Sequence, residues 1–140
     1  MNSYSTGAVS GVGTYVGGLI GKTTVGNNSL CFWDKEASGL STSSGGAGKT
    51  TAEMKALATF AGWDFASLWA ICEGTNYPRL KWQIPATDWV CPDGVAVEDL
   101  VYLAGRWMAG TPATVGAADA DGNGKVDLND FVLLSEQWMK

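Results

Sequence analysis

The sequence predicts an α+β chain in two parts. A β-rich, solenoid-like N-terminal segment with one short helix is followed by a C-terminal pair of cation-loop and helix repeats. Two observations predict this. Residues 1–30 alternate short β-prone runs with glycine, as in Gly7-Ala8-Val9-Ser10-Gly11-Val12-Gly13 and Val16-Gly17-Gly18-Leu19-Ile20-Gly21. Between Asp119 and Asp130, oxygen-bearing side chains recur at fixed spacing, and the stretch that follows repeats one found 31 residues upstream. Composition places a β-rich domain at 1–83, a linker at 84–87 (Ile84-Pro85-Ala86-Thr87) and the repeat pair at 88–140.

Glycines between short apolar runs permit tight turns, so residues 1–30 read as stacked short strands. Gly18-Leu19-Ile20-Gly21 resembles the GLUG motif, found in tandem in large bacterial surface proteins and adhesins. Phe32-Trp33-Asp34, the Ser/Gly-rich 38–48, Gly62-Trp63-Asp64-Phe65, Trp69 and Tyr77-Pro78-Arg79-Leu80 resemble the segment that follows the last such repeat. Stacking units bury their faces on neighbours, so a single repeat implies a truncated array or oligomerisation. Met1-Asn2-Ser3-Tyr4-Ser5-Thr6 has neither a basic n-region nor an apolar h-region. With the resemblance, this implies the C-terminal part of a larger exported protein, extracellular or at the cell surface.

Gly45-Gly46-Ala47-Gly48-Lys49-Thr50 imitates a phosphate-binding loop, but Ser43 stands where the spacing needs glycine and no apolar strand precedes it. Gly11 and Gly13 begin a dinucleotide-type pattern that fails at Val16. Thr50 with Glu53 reads instead as a capping box starting a helix over 52–60. Residues 68–72 and 80–83 read as two strands joined by Glu73-Gly74-Thr75-Asn76. Trp63, Trp69, Tyr77 and Trp82 read as core aromatics, with a sugar-stacking platform as the alternative.

Asp119, Asp121, Asn123, Asp127 and Asp130 occupy positions 1, 3, 5, 9 and 12 of a twelve-residue loop. Gly124 is at position 6, and Lys125 at position 7 would add its backbone carbonyl. This is the ligand spacing of a calcium loop. A cation of that size takes six to eight oxygens, which point inward only if the backbone turns sharply at position 6. Glycine supplies the turn because it tolerates positive φ. Val126, at position 8, would tie the loop to its neighbour. The alternative is an acidic, solvated turn.

The upstream copy aligns without a gap: Asp99 with Asp130, Leu100 with Phe131, Val101 with Val132, Leu103 with Leu134, and Val95 with Val126. Its loop is poorer. Asp88 and Asp99 keep positions 1 and 12, but Val90 and Pro92 stand at 3 and 5, and Asp93 replaces the glycine. Proline also fixes φ in mid-loop. One good site is therefore expected, with Asp88, Asp93 and Asp99 a weak or empty second, Asp93 as a shifted ligand. Both following segments have helical apolar spacing: Val97, Leu100, Val101, Ala104, Trp107, Met108, and Leu128, Phe131, Val132, Ser135, Trp138, Met139. Glu98, Asp99, Asp127 and Asp130 sit near the helix starts, where the macrodipole favours them. Trp107 and Trp138 read as core anchors between the helices.

Asp130 stands where an EF-hand carries glutamate. With the duplicated loop and helix, the segment from about Asp88 to Lys140 resembles a dockerin-like module, the paired calcium-loop unit of bacterial extracellular proteins. The resemblance implies calcium as cofactor and a cohesin-like or other surface protein as partner. It also implies that loop positions 10 and 11, Val97 and Glu98 in the first repeat and Leu128 and Asn129 in the second, face that partner. They depart from the Ser/Thr pairs of well-known cellulosomal dockerins, and Val97 and Leu128 read equally well as core.

Composition sets the remaining bounds. A chain of 140 residues holds one or two small domains, and its 46% hydrophobic content supports a core without any run long enough to span a membrane. The net charge of −5 and the lack of a basic patch argue against nucleic acid as a partner. Histidine is absent, which removes the commonest general base and the Ser-His-Asp and Cys-His arrangements. The sequence therefore favours a non-catalytic calcium-binding module. A carbohydrate-binding module using Trp63 and Trp82, with structural calcium, is the alternative, and a metal-assisted hydrolase comes last. Of the three cysteines, Cys72 and Cys91 flank the junction. In an exported protein they would pair, worth about 3 kcal/mol in the chain-entropy model, leaving Cys31 over. Three buried thiols are the other arrangement.

Overall fold

A computed structural model describes residues 2–24 and 28–138. Met1 of the opening segment, residues 25–27 of the Gly-rich stretch, and Met139 of the second apolar stripe lie outside the described residues, as does Lys140. The chain forms two compact units: residues up to Ala66 with Glu73–Tyr77, and Ser67–Cys72 with Pro78 onward.

The first unit is built on a parallel sheet of three short strands, β1 (Ser3–Ser5), β2 (Cys31–Asp34) and β3 (Ala47–Lys49), in the order β1-β2-β3. Parallel sheets are covered on both faces, and central β2 is buried at every residue. Within 1–30, β1 is the strand found among the described residues. The Gly-rich stretch is instead held by Ser43, whose Oγ accepts the Leu19 and Ile20 N–H groups at 3.2 and 3.0 Å. Gly18 lies against Trp33, where any Cβ would collide with the indole ring. Close approach, rather than a turn between strands, requires glycine there.

An aromatic cluster fills this unit. Phe60 meets Trp63 at 4.8 Å and Phe32 at 5.3 Å between ring centroids. Trp63 is buried and donates Nε1–H to the Leu30 carbonyl at 3.0 Å. Asp34, also buried, organises the polar side. Its Oδ1 accepts the Glu36 and Ala37 N–H groups at 2.9 Å each, starting α1 (Lys35–Ser38). Its Oδ2 accepts the Thr51 and Tyr77 hydroxyls at 2.8 Å each. Burial pushes the Asp34 carboxyl up, but these four bonds outweigh it and hold the group below the usual carboxylate range.

The Thr50–Glu53 capping box is present and starts α2 (Thr51–Met54). The helix predicted over 52–60 stops there, however, and the chain resumes as a 3-10 turn at Leu57–Phe60. Distant groups take the backbone partners a continuous helix would use. Glu73 Oε2 accepts the Leu57 N–H at 2.8 Å, and the Lys55 carbonyl accepts the Gly74 N–H at 2.8 Å.

The second unit opens with β4 (Trp69–Ala70) antiparallel to β5 (Arg79–Leu80). Both are shorter than the predicted 68–72 and 80–83, because Lys81–Gln83 turns into a 3-10 helix. The first loop, α3 (Val97–Ala104), α4 (Pro112–Val115), the second loop and α5 (Leu128–Gln137) follow. Val95, Leu103, Val115, Ala118, Val126 and Leu134 form the core. Two pairs related by the 31-residue offset, Val95 with Val126 and Leu103 with Leu134, therefore meet in one cluster. Thr87 is buried and donates its hydroxyl to Gln137 Oε1 at 3.0 Å.

Trp107 corrects the sequence expectation. Helix α3 ends at Ala104, the chain turns, and Met108 adopts φ 63°, uncommon for a residue with a side chain. Met108 N–H donates to the Val126 carbonyl and Val126 N–H to the Ala109 carbonyl, each at 2.9 Å. The turn leaves Trp107 and Met108 exposed, at 46% and 83%, so Trp107 is not a core anchor. Trp138 does pack against the core. Cys72 and Cys91 form a disulfide with Cα atoms 5.4 Å apart, and Cys31 is buried in β2, its Sγ accepting the Ser3 hydroxyl at 3.2 Å. Among the described residues, no helix is long and apolar enough to cross a membrane.

Candidate metal centre and its upstream copy

In the second loop, Asp119, Asp121 and Asp130 each place a carboxylate oxygen so that all lie within 4.8 Å of one another. Asp130 is the anchor. It is fully buried, its Oδ1 accepts the Ala120 and Asp121 N–H groups at 2.7 and 3.3 Å, and its Oδ2 accepts the Asp127 N–H at 2.8 Å. One carboxylate thus closes the loop and caps α5. Asp119 Oδ2 accepts the Gly124 N–H at 2.9 Å, made possible by Gly124 at φ 85°. Asp119 Oδ1 is buried and has no hydrogen-bond partner. Leaving a carboxylate oxygen so placed is costly unless something positive meets it.

The remaining predicted ligands are distributed differently. Asp121 accepts from Asn123 twice, through the N–H at 3.0 Å and the side-chain amide at 2.8 Å, and Asn123 Oδ1 accepts the Lys125 N–H at 2.9 Å. Asp127 is outside the converging group, because its Oδ1 accepts the Asn129 N–H at 2.9 Å as the N-cap of α5. Position 9 commonly reaches an ion through water, so this is compatible with its expected place. The all-oxygen donor set and the unpartnered Asp119 oxygen suit a hard divalent cation.

The first loop has the same frame. Asp99 is fully buried, its Oδ1 accepting the Trp89 and Val90 N–H groups at 2.6 and 3.0 Å and its Oδ2 the Ala96 N–H at 3.0 Å. Asp88 Oδ2 accepts the Gly94 N–H at 3.0 Å, and Asp88 Oδ1 is buried without a partner. The acids do not converge, however. Among the described residues the threefold carboxylate group is Asp119, Asp121 and Asp130, and Asp93 is exposed. Burial pushes the Asp88 carboxyl up to about 6, helped by the charges of Asp99 and Asp93, while the Gly94 N–H and Arg79 act the other way.

Arg79 carries no role in the sequence reading. Its Nη1 donates to the Pro92 carbonyl at 3.1 Å and stands 4.0 Å from Asp88 Oδ2. The available signal was indirect: Asp88 keeps the position-1 acid although Val90 and Pro92 supply no side-chain oxygens beside it. Of the predicted partner residues, Val97 and Leu128 are 61% and 63% exposed and so are not core. Asn129 is exposed and Glu98 half-buried. Trp82 is exposed whereas Trp63 is buried.

No protein-family model matches this chain, and no solved structure matches it. A protein of Evansella cellulosilytica, provisionally named as a Gly-rich membrane protein, is 40% identical over 85 residues. The match covers 56% of this chain and 10% of the relative, so the chain spans about a tenth of that protein's length.

Proposed function

We propose that the second unit is a non-catalytic, calcium-ordered docking module of dockerin-like type, working outside the cell or at its surface as part of a larger exported protein. The observation that carries this is the convergence of Asp119, Asp121 and Asp130 around a buried Asp119 oxygen that has no partner. Those three residues, with Asn123, Asp127 and the Lys125 carbonyl, would hold the ion. When bound, calcium offsets the mutual repulsion of the loop carboxylates. The chain's own contribution is the coupling of loop to helix. Asp130 is bonded to the loop amides of Ala120 and Asp121 and to the Asp127 amide at the start of α5, so order in one orders the other.

Leu128 and Asn129 lie on that helix start, and Val97 and Glu98 on its counterpart in α3. The exposure of Val97 and Leu128 supports a role in meeting a cohesin-like or other surface protein. The Cys72–Cys91 disulfide fits an oxidising compartment. A polysaccharide partner is supported only by exposed Trp82, since Trp63 is spent in the aromatic cluster. The first unit is proposed as a GLUG-like β-rich segment of the same parent.

Calcium titration followed by thermal melting tests the proposal. Saturable binding at one dominant site is expected, with melting above that in chelator. The linked stabilisation is about 2.7 kcal/mol at a hundredfold excess over Kd. Unchanged helix content and melting temperature would refute calcium ordering.

A further inference from the structure

We propose that Arg79 is the resident cation of the first loop, its guanidinium doing for that loop what an exchangeable ion does for the second. Both loops present the same electrostatic problem. Each holds its position-12 carboxylate with three backbone N–H groups, and each buries a position-1 oxygen, Asp88 Oδ1 or Asp119 Oδ1, without a hydrogen-bond partner. Asp88 is wholly buried at its side chain, so its charge cannot be left to solvent.

The second loop adds one acid, Asp121, and an amide, Asn123, at positions 3 and 5, whereas the first has Val90 and Pro92 there and receives an arginine instead. Arg79 bonds the Pro92 carbonyl, the backbone oxygen of position 5, at 3.1 Å and stands 4.0 Å from Asp88 Oδ2, so it meets the charge of the carboxylate rather than its unpartnered Oδ1. A carbonyl and a carboxylate are oxygen donors of the kind a hard cation takes from such a loop. The guanidinium is a planar fork of donors suited to meeting a carbonyl and a carboxylate together.

The arm is also anchored on both sides. Arg79 is fixed in β5, paired with Ala70 of β4, and Cys72, two residues beyond Ala70, is bonded to Cys91 at position 4 of the loop. Thirty-one residues after Arg79 stands Gly110, so the second loop inherits no such arm. Among the described residues, no ion pair reaches Asp119. The module therefore has one tethered and one exchangeable cation. Its first loop keeps its cation whatever the calcium level, and only its second loop exchanges one.

The inference rests on the calcium reading of the second loop only for the count of ions bound. It is tested by a double-mutant cycle in chelator, with Arg79→Gln, Asp88→Asn and the double variant of the full chain compared by thermal melting. Arg79→Gln is expected to lower the melting temperature by about 5 °C or more. In the Asp88→Asn background most of that drop should vanish, because no buried charge is left to neutralise. An equal drop in both backgrounds overturns the proposal. Should Arg79→Gln fail to fold, recovery of folding in the double variant supports the proposal, and failure of both overturns it. Calorimetric titration of the wild-type chain with calcium alone should give one ion per chain, and two would overturn it. Binding of no ion would sink the calcium reading of the second loop, while the cycle, read in chelator, still decides the role of Arg79.

Discussion

The two loop-helix repeats hold their closing carboxylates in the same way and differ in what surrounds position 1. Asp99 and Asp130 are both fully buried, and each takes three backbone N–H groups at matching places in its loop. The frame of the loop is thus a hydrogen-bonded structure in its own right. Positions 3 and 5 decide what the frame can hold: Asp121 and Asn123 in one case, Val90 and Pro92 in the other. On the proposed calcium reading, the difference makes loop shape and ion affinity separable. A duplicated loop can lose its ligands and keep its fold if another cation is supplied from the chain.

The largest effect should come from the closing carboxylates. Asp99→Ala and Asp130→Ala each strip the acceptor from three amides, costing about 3 kcal/mol or more of unfolding free energy in chelator. Denaturant unfolding should show similar losses for the two. Calcium should still raise the melting temperature of Asp99→Ala but not of Asp130→Ala. If both variants lose the calcium response, the two loops are not functionally distinct.

A somewhat smaller effect is expected from the Cys72→Ser, Cys91→Ser pair, about 3 kcal/mol by loss of the cross-link. Hydrogen exchange should quicken first in α3, which follows the tethered loop, while α5 in saturating calcium keeps its protection. Equal loosening of both helices would show that the tether serves the whole unit rather than the first loop.

The smallest effect belongs to the first unit, which has no such loop and serves as the contrast. Asp34 has a folded carboxyl pKa held below its unfolded value, 3.8, by hydrogen bonds from Glu36, Ala37, Thr51 and Tyr77 that outweigh burial. Its contribution is therefore complete above the unfolded value and is lost as pH falls through the folded one. Aromatic fluorescence or near-UV dichroism from the Phe60–Trp63 cluster should show this unit weakening below about pH 4 with no dependence on calcium. Asp34→Asn should flatten that acid limb.

How much of this could be read from the chain depends on how local each cause is. The spacing of Asp119, Asp121 and Asp130 is visible because all three lie in one loop, and the 31-residue offset exposes Val95, Val126, Leu103 and Leu134 as matching core positions. The capping box at Thr50 and Glu53 is equally local. The length of the helix it starts is not, because Glu73 and Gly74 come from elsewhere to end it. Trp107 misled because periodicity does not mark where α3 stops. The stripe continues past Ala104 on paper, while the clip between Val126 and Met108–Ala109 turns the chain away. Arg79 was invisible since its partners Asp88 and Pro92 are reached through the β4–β5 hairpin and the disulfide, not through spacing.

The hydrogen bond between Thr87 and Gln137 has a mechanical consequence. It fastens the start of the repeat pair to the end of its last helix, so both loops and all three helices lie within a span whose two ends are held together. Tension entering beyond Gln137 would meet this bond before it reached the second loop, while tension from the N-terminal side enters the first loop at Cys91 through the disulfide. On the proposed calcium reading, the ion site of the second loop would then be screened from pulling at that end.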